Sequence, residues 1–441
     1  MPLPFDPMLA FYAVPLVVMW TVYLRRRKTV DTRSRSTLAE AREAGLSEPT
    51  SLHPLIDPGK CLGCGACVGA CPEVASGHPV LGIINDKAEL IEPASCIGHG
   101  ACKAACPTGA ISLVFGTQTR GVELPVVKPD FQTNVPGLFI AGELGGMGLI
   151  RNAIEQGRQA MDAIKALCRA RPASDALDVV IVGAGPAGFS ASLGALSHKL
   201  KFVTLEQDSF GGTVGHFPRG KLVMTAPAML PLIGRMHFRE VSKETLMAFW
   251  HNALKKTGLK IRYGERVEAI ERQGATFLVR STGGTHKART VLLAIGRRGT
   301  PRKLEVPGEE QSKVVYRLID PTQYRGQHVV VVGGGDSALE AAASIAEERG
   351  TTVTLSYRSE AFGRAKQKNR MRVEAAVKAG SLTVMLKSKV KSIGAKDIQI
   401  EHDGRKMTLR NDAVIVCAGG ILPTAFLKSI GIEVQTKYGT E

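Results

Sequence analysis

Apolar and polar positions divide this 441-residue chain into stretches of different period. The first is continuous: Met8 to Leu24 (MLAFYAVPLVVMWTVYL) carries no charge. Trp20 and Tyr23 lie near its end, and Arg25, Arg26, Arg27 and Lys28 follow at once. The pattern predicts a short membrane-spanning helix kinked at Pro15, with a basic flank that keeps the rest of the chain in the cytoplasm. A cleaved leader would carry positive charge ahead of the apolar run and small residues behind it, and neither is present. The rival is a helix lying at an interface or in solution. Residues 29–52 are charged and poor in apolar positions, which predicts a tether with one short helix, Thr37 to Ala44. Farther on, Asp178-Val-Val-Ile-Val and Val329-Val-Val-Val read as short apolar strands. The first leads into a helical pattern (Phe189 to Ser197) and a second strand (Phe202 to Glu206), and the other into a helix and the strand Thr352 to Ser356.

Composition agrees with folded α/β material. Hydrophobic residues make up 44% and there are 48 glycines, which excludes disorder. The length predicts two to four domains. The net charge of +17 points to anionic lipid or an acidic protein partner, or to a plain solvated surface. No nucleic-acid motif accompanies it, so no nucleic-acid partner is expected.

Seven of the nine cysteines fall in two runs. One is Cys61-x2-Cys64-x2-Cys67-x3-Cys71-Pro72; the other is Cys96-x2-His99-x2-Cys102-x3-Cys106-Pro107. Thiolates at this spacing wrap cubic iron–sulfur clusters, and zinc sites rarely use it. The runs resemble the bacterial two-cluster ferredoxins over roughly residues 53–115. The resemblance implies two 4Fe-4S clusters with crossed ligands. One takes Cys61, Cys64, Cys67 and Cys106. The other takes Cys96, Cys102 and Cys71, with His99 where the family has cysteine. Imidazole can bind iron and would raise the potential; if His99 turns away, that site holds a 3Fe-4S cluster or none. Thiolate clusters fit a reducing compartment.

The two apolar strands each precede a glycine-rich turn. Gly183-Ala-Gly185-Pro186-Ala187-Gly188 is a G-x-G-x-x-G turn, and Glu206 follows where a ribose-binding acid belongs. The second turn is Gly333-Gly-Gly335-Asp336-Ser337-Ala338. Its following strand ends without an acid, and Arg358 and Arg364 come next, which suits a 2′-phosphate and favours NADPH over NADH.

On these motifs residues 117–441 resemble the flavoproteins with two dinucleotide-binding domains, in the thioredoxin-reductase-like branch that includes ferredoxin–NADP reductases. Further matches are Gly211-Gly212-Thr213, Ala294-Ile-Gly296 and Cys417-Ala-Gly419-Gly420. Thr133 to Glu143 resembles the segment that closes the flavin site, followed by a helix from Arg151. The resemblance implies that Gly142, Glu143, Asn152, Ala153, Gly212, Thr213, Val267, Ala294 and Gly296 join the first glycine turn and Glu206 around FAD. In the family the closing segment lies last, whereas here it precedes the first glycine turn. That order implies a circular permutation, with the final residues expected beside Gly121–Val127.

The expected fold is therefore α/β: two Rossmann-like dinucleotide-binding domains, a small α+β ferredoxin domain and one N-terminal transmembrane helix. The expected parts are an anchor (1–28), a tether (29–52), the ferredoxin domain (53–115), a permuted flavin segment (117–170), the main FAD domain (177–300), the NAD(P)H domain (301–420) and a return segment (421–441). The segment before the second glycine turn, Tyr316 to Gly326, lacks the dithiol of thioredoxin reductases. Cys168 and Cys417 stand alone in sequence, and no Ser-His-Asp set is evident. The expected function is a flavin and iron–sulfur oxidoreductase of the inner membrane, moving electrons between NADPH, FAD, the clusters and a ferredoxin or membrane electron carrier. No catalytic side chain is expected, because the hydride passes between cofactors. A disulfide or small-molecule reductase and a non-catalytic redox sensor are the rivals, and the family also allows a homodimer.

Overall fold

A computed structural model describes residues 7–43, 49, 52–75, 79–96, 98–117, 121–146, 148–170, 175–225, 227–297, 299–363 and 365–439. The chain divides into two compact units, one of residues 1–119 with 362–364 and 439–441, the other of 120–361 with 365–438.

The first unit opens with α1 (Pro7–Glu43), one 37-residue helix. The expected spanning helix is not found: among the described residues no helix is long and apolar enough to cross a membrane. The uncharged run Met8–Leu24 is 17 residues, and at 1.5 Å per residue a bilayer core needs about 20. The expected tether is also corrected, since residues 29–43 continue the helix. The cause lies far away in sequence. Strands β1 (His53–Ile56), β2 (Leu81–Ile84), β3 (Lys87–Leu90) and β4 (Ile111–Val114) form two antiparallel pairs, β1 with β4 and β2 with β3. Asp31 accepts the Asn85 amide of the β2–β3 turn at 2.7 Å, and Arg27 pairs with Asp86. Ser34 is buried against Gly82, where a Cβ would meet its Oγ at 2.6 Å. The short helices α2 (Ala66–Ala70) and α3 (Ala101–Ala105) lie in this unit, whose core includes Leu81, Ala88 and Ile111.

The second unit holds two parallel sheets. The first contains β6 (Leu138–Ile140), β7 (Leu177–Val182), β8 (Phe202–Leu205) and β11 (Gly284–Leu293), after the antiparallel hairpin of β9 (Val267–Gln273) and β10 (Thr276–Ser281). β11 pairs in parallel with both β7 and β6. Val179, Val180 and Ile181 are wholly buried, as the unbroken apolar run of a two-sided parallel strand requires. Two helices pack side by side against it, α4 (Ile150–Arg169) and α5 (Pro186–Ser197). α4 buries Ala153, Ile154, Gly157, Ala160, Met161, Ile164 and Cys168, one helical stripe. The second sheet is five-stranded and parallel, in the order β12 (Val314–Val315), β16 (Ala413–Val416), β13 (His328–Val332), β14 (Thr352–Ser356), β15 (Leu382–Met385). Helix α6 (Asp336–Ala346) follows β13. Thr300–Pro301 pairs with Gly420–Ile421, so the chain enters and leaves this half through neighbouring strands. The last strand, β17 (Val434–Lys437), pairs antiparallel with β5 (Val122–Pro125).

Candidate functional site

The two cysteine runs fold into copies of one turn. Gly65 before α2 has φ 75°, ψ 2°, and Gly100 before α3 has φ 77°, ψ 4°, a left-handed conformation that favours glycine. Each helix then ends at the fourth cysteine in extended backbone, Cys71 at φ −73°, ψ 118° and Cys106 at φ −78°, ψ 114°. The turn fans the first three ligand positions around a hollow, and the helix carries the fourth residue to the opposite copy. One cavity is accordingly lined by Cys61, Cys64, Cys67 and Cys106. The other is lined by Cys71, Cys96, His99 and Cys102, joined by Glu73.

These donors fit an iron–sulfur cluster in each cavity. Among the described residues no three His, Cys, Asp or Glu side chains converge on a single ion, and the thiols line the cavity walls. Amide donors already point at the sulfurs. Gly63 and Ala88 N–H each reach Cys61 Sγ at 3.4 Å, and Ala110 N–H reaches Cys106 Sγ at 3.3 Å. Burial pushes the Cys67 and Cys96 thiols up to about 11 and raises Cys71 and Cys102 as well. Iron must displace those protons. Cys106 is lowered instead, chiefly by its hydrogen bond with Thr108. Burial lowers the His99 pKa, against an opposing pull from Glu73.

The first glycine turn leads from β7 into α5. Gly183 has φ 102°, and a Cβ there would stand 2.5 Å from the Ala294 carbonyl. A Cβ on Gly188 would stand 1.8 Å from the Gly183 carbonyl. The first contact seats the turn against the end of β11, and the second draws the helix onto the strand. At the helix start a Cβ on Gly185 would stand 3.9 Å from the Cα of Gly212, so two bare backbones face one another over the helix N-terminus. That cradle fits a pyrophosphate. The buried Glu206 carboxylate accepts the Ala184 amide at 2.7 Å and the Asp208 amide at 3.0 Å. It thereby anchors the turn from below and keeps lone pairs for ribose hydroxyls. Gly142 (φ 85°) brings the end of β6 to Ala187, and its amide donates to Gln156 Oε1 at 2.8 Å. Glu143 starts a single turn, and Asn152 and Ala153 lie in the first turn of α4. Val267 opens β9, two residues past Glu265, whose amide bonds the Glu206 carbonyl. Thr213 adjoins Gly212, and Gly296 turns left-handed (φ 65°) just past Ala294.

The second turn repeats this plan. A Cβ on Gly333 would stand 2.4 Å from the Cys417 carbonyl, while Gly335 is open. Ala338 is wholly buried under the turn, and Ser337 lies in the first turn of α6. Asp336 is turned away, accepting the Lys366 amide and the Asn369 side chain at 2.8 Å each. Both bonds fall on Oδ1, so this oxygen holds a loop. The Tyr357 ring lies against Gly334, where a Cβ would meet it at 2.3 Å. Arg358 is exposed beside it, and Arg364 lies outside the described residues.

Residues 180–440 match the pyridine nucleotide-disulphide oxidoreductases, and residues 53–107 match a 4Fe-4S dicluster domain. The chain belongs to the pyridine nucleotide-disulphide oxidoreductase family. Its similarity to a ferredoxin–NADP reductase of Ignicoccus hospitalis is 29% identity over 268 residues, covering 59% of this chain and 83% of that protein. A ferredoxin–NADP reductase of Thermus thermophilus is 26% identical over 276 residues, covering 60% and 79%. The solved bacillithiol disulfide reductase of Bacillus cereus superposes with TM-score 0.50 at 24% identity, over 58% of this chain and 81% of that one, a likeness of fold.

This oxidoreductase is thus a FAD-dependent enzyme with an iron–sulfur domain. Reading the sequence missed three of its features. Glu73 faces the second cluster cavity, and its place directly after Cys71-Pro72 was the available signal. Gln156 holds Gly142, and nothing local marks it. Gly157 lets α4 meet the first glycine turn, since a Cβ there would stand 2.1 Å from the Ala187 carbonyl.

Proposed function

We propose that this protein takes electrons from NADPH at FAD and delivers them singly, through two clusters in residues 53–107, to an external redox protein. When bound, the flavin supplies the change from hydride to single electrons, and the clusters supply single-electron carriage. The chain's own part is to hold and orient. The Gly185–Gly212 cradle takes the flavin pyrophosphate and Glu206 its ribose, while the second glycine turn takes NADPH. The observation that carries the reading is the crossed pair of cavities, each ringed by four ligand-type residues, on a chain whose remaining cysteines are only Cys168 and Cys417. A single-electron outlet is built, and a dithiol outlet is not. The names of the ferredoxin–NADP reductases among its relatives support a ferredoxin as acceptor, and the charge of +17 suits an acidic one.

The order of segments is read as a circular permutation, supported by the β17–β5 pairing and by β6 lying in parallel beside β11. The start of α1 is read as resting on a cytoplasmic membrane face. Phe11, Leu16, Val17, Met19 and Trp20 are each at least 60% exposed, and Arg25 to Lys28 follow. Flotation with anionic vesicles, lost on deleting residues 1–24, tests that part.

Anaerobic stopped-flow mixing with NADPH tests the main reading. Flavin bleaching should be followed by cluster bleaching at a matching rate, and then by reduction of added ferredoxin. Arg358→Ala should weaken NADPH about tenfold, the loss of about 1.4 kcal/mol from a charged phosphate contact, and leave NADH unaffected. Clusters that stay oxidised while a disulfide substrate turns over would establish the disulfide-reductase reading instead.

A further inference from the structure

We propose that His99 does not bind iron: it donates its Nε2–H to the sulfur of Cys71, and three thiolates, Cys71, Cys96 and Cys102, carry the second cluster. The inference rests on the reading of residues 53–107 as a two-cluster module.

The decisive contact is on the other ring nitrogen. A backbone amide can only donate, and Ala101 N–H points at His99 Nδ1 at 3.0 Å. Nδ1 is therefore the acceptor, and the single proton of the neutral ring sits on Nε2. A ligand nitrogen must offer a lone pair. For Nε2 to bind iron, the proton would have to move to Nδ1, where it would face the Ala101 hydrogen. The amide cannot easily turn aside, because the left-handed Gly100 fixes it in the conformation that Gly65 gives the first run. The ring is thus fitted into a turn shaped for a cysteine, and the turn sets its tautomer.

Nε2 lies 3.7 Å from Cys71 Sγ, within reach of an N–H···S hydrogen bond. Ligands on two irons of a cubic cluster point outward from separate corners and do not approach this closely. The arrangement has a counterpart in the first cavity. There Cys106, the other crossing cysteine, has the Thr108 hydroxyl at 3.6 Å. Each crossing sulfur therefore has a side-chain hydrogen-bond partner. A donor to a cluster thiolate stabilises the more negative, reduced state and raises the potential. His99 is by this account a positioning and tuning residue, and the second site holds a three-iron cluster when oxidised.

Electron paramagnetic resonance of the holoprotein tests this. The air-oxidised wild type should show a three-iron signal. Pulsed measurements on protein carrying 15N-histidine should show no directly bound nitrogen. His99→Ala should keep its full iron content while the second site shifts to lower potential in a redox titration. His99→Cys should abolish the three-iron signal by completing a four-thiolate set. A strongly coupled histidine nitrogen in the wild type overturns the proposal, and this measurement decides even where a variant fails to fold. So does selective loss of second-site iron in His99→Ala. A wild type that binds no iron would instead overturn the underlying cluster reading.

Discussion

Gly157→Ala is the substitution whose sign separates packing from propensity. Gly157 is buried in the middle of α4, where alanine would ordinarily stabilise a helix by about 1 kcal/mol. The added Cβ would stand 2.1 Å from the Ala187 carbonyl oxygen, 2.9 Å from its carbon and 3.1 Å from its Cα. All three are backbone atoms in the first turn of α5, so no side chain can swing aside. Relief requires the two helices to part by about 1 Å, an overpacking that costs about 2–3 kcal/mol. Subtracting the propensity gain leaves a net loss of about 1–2 kcal/mol, a fall of roughly 2–3 °C in Tm for a unit of this size. Because Ala187 belongs to the glycine turn, flavin should also be released earlier. Gly194→Ala is the control. Its Cβ would meet side chains alone, Met161 at 3.2 and 3.3 Å and Pro231 at 4.0 Å, and methionine yields. Flavin fluorescence on a thermal ramp reads unfolding and release together. If Gly157→Ala proved as stable as Gly194→Ala and kept its flavin equally well, the close contact between α4 and α5 would be refuted.

Crossed ligation predicts crossed losses: Cys106→Ser should empty the first site and spare the second, although Cys106 belongs to the second run, and Cys71→Ser should do the reverse. Iron analysis with site-resolved paramagnetic spectra checks this, and loss within each variant's own run would refute the crossing. Glu206→Gln keeps the shape but leaves one of two buried amides facing an N–H group, costing about 1–3 kcal/mol and weakening FAD by roughly 5- to 150-fold; unchanged FAD retention would contradict that role. A pH prediction comes from Glu309 and Tyr316. Burial opposes the Glu309 charge, but the Leu304 amide, the Tyr316 hydroxyl and the Glu305 amide outweigh it and hold the carboxyl below 4.5. Its contribution to stability is present above pH 4.5 and should be lost as pH falls through the lowered value. Tyr316 is pushed up to about 12 by burial and by Glu309, so its contribution is present below pH 10 and lost as pH climbs toward 12. Thermal unfolding should show a shallower acid limb in Glu309→Gln and a shallower alkaline limb in Tyr316→Phe, and unaltered limbs would refute the assignment.

What the sequence displayed were features whose cause is local. The runs around Val180 and Val330 show themselves because a parallel strand covered on both faces has no polar side to alternate. The glycine turns and cysteine runs show themselves because spacing alone fixes their geometry. The failures have distant causes. The polar half of α1 looked like a tether because its partners, Asn85 and Asp86, lie more than 50 residues on. The loop that Asp336 holds through Oδ1 was hidden because Lys366 and Asn369 sit beyond the next strand. His99 shows both sides at once. Its place in the run marked it as a ligand candidate, while the amide that fixes its tautomer follows from the conformation of Gly100.

The duplicated turn also limits what the two cavities can be. Gly65 and Gly100 differ by only 2° in φ and ψ, so the backbone offers both sites the same frame. Any difference between them must come from side chains. Three polar ones differ: His99 in place of Cys64, Glu73 lining the second cavity, and Thr108 lining the first. His99 as a donor raises the second potential, while the Glu73 carboxylate lowers it by placing negative charge beside a group that gains an electron. The two act oppositely on one site, so removing either alone should move its potential in opposite directions. Glu73→Gln should move it upward and His99→Ala downward, both read by redox titration of the second-site signal. Shifts of the same sign would mean that one of these side chains has been given the wrong role.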